Sequence, residues 1–237
     1  MKDPYLYDGV DVLRNLAGIK DAEILRKAEA DITSLAMSGV YNQHYEKFDT
    51  DTLKDIHRLI FGQIYEWAGD FRTIQMTKSE EILGGDTVRY SSPKNINREL
   101  SSAMKDLAKI RKSTLSDEEI VFRLVRVTAK IWQIHPFREG NTRSVMVFSM
   151  LFAMHLDYDV DFALLRTHAF YVRNALVWAS QGIYSKYEYL ERIFFDAILH
   201  QPVPISKTPA PSKNDYSQIG DYKTTTYVET PHKYTEE

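Results

Sequence analysis

The run Ile134-His135-Pro136-Phe137-Arg138-Glu139-Gly140-Asn141-Thr142-Arg143 divides two helical patterns, and its reading decides the fold. Before it, Ile120, Leu124, Val127 and Ile131 recur at helical spacing. After it, Val145, Met146, Phe148, Met150 and Leu151 belong to a largely apolar helix that starts near Asn141. The intervening loop is short and polar, with one Pro and one Gly. A helix start leaves about four backbone N–H groups without intrahelical partners and carries a partial positive charge. Preceded by a glycine-containing loop, such an end suits an anion. Gly140 lets a phosphate approach the backbone closely. Asn141 suits an N-cap or a ligand contact, and Arg143, in the first turn, offers a planar fork for phosphate. The helix dipole alone disfavours a cation at that end, so Arg143 points to an anion that offsets it.

His135 and Glu139 are the reactive pair of this loop. An imidazole that titrates near neutrality can take a proton from an attacking hydroxyl. A carboxylate beside bound phosphates is a hard-oxygen ligand for Mg²⁺. Base, metal ligand, backbone amides and guanidinium together fit phosphoryl or nucleotidyl transfer, a chemistry that rests on positioning and charge neutralisation. Taken by themselves the same residues also suit a plain capped helix start. Zinc is disfavoured, because the order is H-x-x-x-E, with no second His nearby; His155 lies far along the next helix, where a surface or core role is expected.

Outward from this loop the dominant period is helical. Residues 21–38, 51–67, a helix opened by Ser92-Pro93 and running past Leu100, Met104, Leu107 and Ile110, and a helix behind the Ser116/Glu119 capping box all read this way. Further helices are expected over 141–156, 167–180 and 186–199. Residues 72–90 break the pattern. Their β-compatible pieces, Thr73–Thr77 and Thr87–Tyr90, flank Gly84-Gly85 and predict a hairpin flap. The fold class is therefore all-α with one small β-hairpin. Half of the eight prolines fall between Pro202 and Pro211, and the sequence beyond is polar. The globular unit is read as 1–202 and the remainder, 203–237, as a flexible tail.

Composition narrows the function classes. The chain has 237 residues, a formal net charge of -3 and no cysteine, so disulfides and Cys-ligated zinc are out and no global positive field draws it to nucleic acid or an acidic membrane. The N-terminus lacks the apolar run of a signal peptide, and no window is apolar enough to span a bilayer. A cytoplasmic location is the expectation; a C-terminal export signal read by a dedicated secretion system would escape this test.

The stretch HPFREGNTR resembles the signature H-P-F-x-[D/E]-G-N-G-R-x-x-R of the Fic (Fido) family. Ile56–Ile74 is similar to the helix and turn before the family's flap, Tyr5–Ala30 to its opening and Tyr171–Ile198 to its closing helices. The resemblance covers about 1–200. It implies a protein adenylyltransferase that moves AMP from ATP to a hydroxyl of a target protein, with Mg²⁺. By the same resemblance His135 is the general base, and Pro136 and Phe137 anchor the loop. Glu139 holds the metal, and Arg143 grips the β and γ phosphates. Phe137, Gly140, Asn141 and Thr142 join Arg143 in the nucleotide-binding set. Ile74, Gln75, Met76, Thr77 and Lys78 of the flap dock the target as an added strand.

Two departures stand out. Thr142 replaces a Gly, which helical dihedrals tolerate. Met146 replaces the second Arg and cannot pair with a phosphate, which leaves open another cation, a weaker grip or another donor such as UMP, phosphocholine or phosphate. A catalytically weak nucleotide- or peptide-binding module is the remaining alternative. The family's inhibitory pattern [S/T]-x-x-x-E-[G/N] is not completed at Thr77/Glu81, Thr114/Glu118 or Thr225/Glu229. The resemblance therefore points to a small antitoxin-like inhibitor acting in trans, and the expected target carries a Ser, Thr or Tyr hydroxyl. The target's identity and the oligomeric state are not encoded in any pattern found.

Overall fold

The computed structural model of the chain describes residues 3–201. Among them eight α-helices follow in order: α1 Ala22–Val40, α2 Thr50–Phe61, α3 Ile96–Leu107, α4 Asp117–Ile134, α5 Asn141–His155, α6 Phe162–Thr167, α7 Ala169–Ala179 and α8 Glu188–Leu199. Their starts are chemically marked. The Asp21 carboxylate accepts from the Ile24 amide at 2.9 Å, and Asp49 accepts from the amides of Asp51 and Thr52 at 3.0 Å. Ser116 and Glu119 form the expected capping box. The tail expected from residue 203 onward lies outside the described residues. No helix among the described residues is long and apolar enough to cross a membrane.

α4 and α5 form the centre. α4 buries most residues from Ile120 to Ile134, leaves a polar stripe of Arg123, Arg126, Lys130 and Gln133 toward solvent, and packs against α3, α5, α7 and α8. α5 buries Asn141 and the run Ser144–Ala153. A helix apolar all round has no solvent face and must lie inside. Where the two helices touch, the Thr128 and Ser149 hydroxyls bond each other at 2.8 Å, satisfying both buried groups.

Three expectations are corrected. The helix read over 51–67 ends at Phe61, and the chain then turns so that the Gly69 amide donates to His57 Nδ1 at 2.8 Å. A continued helix would carry Gly69 away from that nitrogen. Second, the hairpin over 72–90 is a loop closed by one antiparallel bridge, Ser79 with Thr87. Met76, Lys78, Glu80, Val88 and Tyr90 are buried. The segment is thus held by side chains packed onto the body rather than by a ladder of backbone bonds. Third, the helix expected to run past Ile110 ends at Leu107, and a short helix that the sequence pattern does not mark, α6, opens where Asp161 accepts from the Leu164 amide at 2.8 Å.

α2 is the brace of the loop that precedes α5. With Nδ1 accepting from Gly69, the His57 Nε2–H donates to the Glu139 carbonyl at 3.0 Å. The ring is stacked between Phe137, 3.8 Å away, and Phe61, 4.8 Å away. Burial is the main cause that pulls the His57 pKa down to about 3, with Arg143 and Arg58 lowering it further against the Glu139 hydrogen bond. Gly140, at φ +77, lies so close that an added Cβ would sit 2.2 Å from Phe61 Cζ.

Two outcomes are expected. His57 is neutral when folded but binds a proton below about pH 6.5 when unfolded. Its stabilisation is full above that pH and is lost as the pH falls toward 3, by about 1.4 kcal/mol per pH unit. Urea unfolding at a series of pH values should show this limb in the wild type and a flatter one in His57→Gln; equal slopes would refute it. Gly140→Ala should cost about 3 kcal/mol through strain at positive φ and overlap with Phe61, and Phe61→Leu in the same chain should recover part of it in the same assay.

Candidate active site

Asn141 closes the loop between α4 and α5. Its Oδ1 accepts from the Phe137 amide at 2.9 Å and its Nδ2 donates to the Phe137 carbonyl at 2.8 Å. Both ends of the carboxamide are thereby used in one buried ring. The N-cap of α5 is Gly140, in the left-handed region, and Asn141 is the first helical residue. The side chain of Asn141 therefore staples the loop, while the residue also lines the pocket described below. Phe137 is fully buried against His57, the anchoring position that the resemblance implies, and it does not line the pocket. Arg138 turns away from the loop's open face and pairs with Asp3, Nη2 to Oδ2 at 2.8 Å, with both side chains almost wholly buried.

His135 caps the end of α4 with φ 53 and ψ 60, a left-handed conformation uncommon for a residue with a side chain. That turn takes the imidazole off the helix axis. The ring stacks on Tyr90 at 3.9 Å and meets Trp132 edge-on at 5.7 Å. The backbone beneath it is held by Arg72, whose Nε donates to the His135 carbonyl at 2.7 Å, while the Arg72 amide donates to the Pro136 carbonyl at 2.9 Å.

His135, Glu139, Gly140, Asn141, Thr142 and Arg143 line one pocket, as the loop reading expects, and Lys78, Tyr90, Trp132 and Arg173 complete it. The open space among these side chains is about 50 Å³. Glu139 Oε1 accepts from the Gly140 amide at 2.8 Å, and the Trp132 indole N–H donates to the Thr142 hydroxyl at 3.0 Å. The Arg143 guanidinium lies 4.6 Å over the Phe61 ring. It donates to Thr33 at 2.8 Å and forms an ion pair with Glu29 of α1. Glu29 also accepts from Tyr65, whose hydroxyl burial and the neighbouring carboxylate push well above its usual titration range.

The flap residues divide. Ile74, Gln75, Met76 and Thr77 border a large groove of about 1530 Å³ between the flap and the α3–α4 face. Met76 is nevertheless almost wholly buried, so its side chain offers little to a docking strand. Lys78, expected on the docking edge, is buried in the pocket with His135 instead. Tyr90 lines both spaces.

The reading of the sequence missed Glu29, Tyr90 and Arg173. Glu29 and Arg143 stand 114 residues apart, and no local pattern marks such a pair. Met146 is buried on α5 and borders a separate, mostly apolar groove with Met150, Phe162 and Leu165. A metal would find one carboxylate in the pocket, Glu139, and no cluster of three or more potential ligands exists among the described residues. Mg²⁺ commonly takes one or two protein carboxylates and completes its shell with phosphates and water, so this donor set fits it.

Residues 47–153 match the Fic/DOC family. The probable protein adenylyltransferase Fic of Salmonella typhimurium is 32% identical over 158 residues, covering 66% of this chain and 75% of the relative. The protein adenylyltransferase VbhT of Bartonella schoenbuchensis is 29% identical over 167 residues; the match covers 67% of this chain but only 32% of that longer protein. Among solved structures, BepC of Bartonella tribocorum with bound AMPPNP superposes with a TM-score of 0.69 at 25% identity, over 85% of this chain and 98% of that one. With the loop, the helices around it and these relatives in agreement, the chain belongs to the Fic/DOC family.

Proposed function

We propose that the chain is a protein adenylyltransferase that moves AMP from ATP to a Ser, Thr or Tyr hydroxyl of a target protein, with Mg²⁺. The observation that carries this reading is the position of His135. Its ring stacks on Tyr90, and Tyr90 is the wall shared by the pocket of Glu139, Gly140, Thr142 and Arg143 and by the groove along the flap. One side suits an anionic donor and the other an extended acceptor segment. Relatives carry the adenylyltransferase name, and neighbours of the same fold bind AMPPNP and ADP.

The residues then take these roles. The α-phosphate rests against the amides that open α5, where N–H groups and the dipole favour negative charge. The acceptor hydroxyl attacks the α-phosphorus, and His135 takes its proton. The bond from that phosphorus to the bridging oxygen breaks, and pyrophosphate leaves with the electron pair. Glu139 would hold the metal, whose contribution is to neutralise phosphate charge. Arg143 would exchange its Glu29 partner for a phosphate, a change its planar fork allows. Ile74, Gln75, Met76 and Thr77 would present the flap backbone to the target strand. Arg72 holds the His135 carbonyl and the flap's Ile74 carbonyl together, so base and acceptor track share one anchor.

The test is transfer of label to protein. With Mg²⁺ and a cell lysate, ATP labelled at the α-phosphate should mark a protein band, and ATP labelled at the γ-phosphate should not. His135→Ala should lower the rate by about 10²–10⁴-fold, with ATP affinity within a few-fold of wild type. Label arriving from the γ-phosphate would indicate phosphotransfer; nucleotide binding without transfer, indifferent to His135→Ala, would indicate a binding module.

A further inference from the structure

The geometry points to Arg173 of α7 as a phosphate-binding residue of the donor site, held by Glu80 of the flap until the donor arrives; this rests on the adenylyltransferase reading. Arg173 lines the same pocket as His135, Glu139, Gly140 and Arg143. Its Nη2 pairs with Glu80 Oε2 at 2.6 Å, and the two side chains are 11% and 2% exposed. A desolvated pair of this kind is costly to build and seldom improves on apolar packing, so its presence beside an anion site calls for a role beyond stability.

The electrostatics of the pocket argue for that role. A triphosphate brings several negative charges, and Glu139 adds one on the pocket wall. Arg143 is the sole Lys or Arg on α5, and Met146, one turn further, brings no charge. The remaining cations that line the pocket are Lys78 and Arg173. Lys78 belongs to the loop of the flap, while Arg173 belongs to a helix in the body of the fold. A guanidinium set on a helix is pre-positioned and can bind phosphate with two parallel N–H bonds. The exchange leaves Glu80 with a donor. The Tyr90 hydroxyl bonds its Oε1 at 3.3 Å, and burial, aided by Glu80, raises the Tyr90 pKa, so that hydroxyl keeps its proton. Glu80 is therefore not stranded when Arg173 turns to a phosphate. Donor binding is coupled to the flap by the same step, because Glu80 is the flap's ion-pair partner to α7.

A structural role and a donor-binding role make opposite predictions for the two partners. ATP binding to the full chain with Mg²⁺ would be measured by titration calorimetry for wild type, Arg173→Gln, Arg173→Lys and Glu80→Gln, with thermal unfolding of each as the check on folding. The expected result is a loss of tenfold or more in ATP affinity for Arg173→Gln, partial recovery for Arg173→Lys, and unchanged or tighter binding for Glu80→Gln, whose Arg173 no longer has a competing carboxylate. ATP affinity of Arg173→Gln within twofold of wild type would overturn the inference. So would an equal loss in both glutamine variants, which would mean that the pair serves only to pin the flap. A wild-type chain that neither binds ATP nor transfers its α-label would sink the adenylyltransferase reading first, and that outcome is seen before any variant is compared.

Discussion

A single buried guanidinium holds the parts of this site in register. Arg72, 2% exposed, donates to the carbonyls of Ile74 and Ser91 at the two feet of the flap, and to those of His135 and Ile134 at the end of α4. Carbonyl oxygens, rather than a carboxylate, supply these four contacts. Burial brings its pKa down to about 10, still far above neutrality, so the charge and all its donors persist. Removing the side chain would leave several buried carbonyls without donors, each costing about 1–3 kcal/mol. The left-handed turn at His135 is tolerable because the surroundings over-determine it, and Arg72 is a large part of those surroundings.

The loop that follows is fixed by packing as much as by hydrogen bonds. His57, Phe61 and Phe137 stack as a column beneath it, and Gly140 is the one residue that fits above Phe61. Asn141 binds the Phe137 backbone on both sides, and the Asp3–Arg138 pair pins the outer edge. Six side chains thus constrain a loop of a few residues before any anion binds. Preorganisation of this kind is what lets backbone dipoles act on developing charge.

Much of this was readable from local pattern. The capping box at Ser116, the periodicity of α4 and the Gly-containing loop before α5 are signals within a few residues, and the structure has each of them. What could not be read is tertiary. Helix α2 stops at Phe61 because Gly69 must come back to His57, a reason invisible in the residues 62–68 themselves. The flap forms one bridge where alternation suggested strands, because its buried side chains, Glu80 and Tyr90 among them, take over the anchoring. The motif implies that Phe137 anchors the loop, and it does; that the Asn141 side chain is bonded to the Phe137 backbone is shown only by the fold. Asp3 and Glu29 meet their arginines 135 and 114 residues away, Glu80 meets Arg173 from another element, and no spacing rule identifies such partners.

Those arginine pairs also explain how a site rich in cations folds without its ligand. Guanidinium groups gathered at one pocket repel each other, and each is desolvated by the walls around it. Carboxylates from elsewhere in the fold meet the cost: Glu29 for Arg143 and Glu80 for Arg173. In the proposed reading, binding of a phosphate chain would be an exchange of one anion for another rather than the filling of an empty field. The affinity gained is the difference between two ion pairs, so it is smaller than either pair suggests. Under the proposed reading a polyphosphate would draw both arginines from their carboxylates, and the hydroxyls of Tyr65 and Tyr90, which already donate to Glu29 and Glu80, would keep those carboxylates hydrogen-bonded.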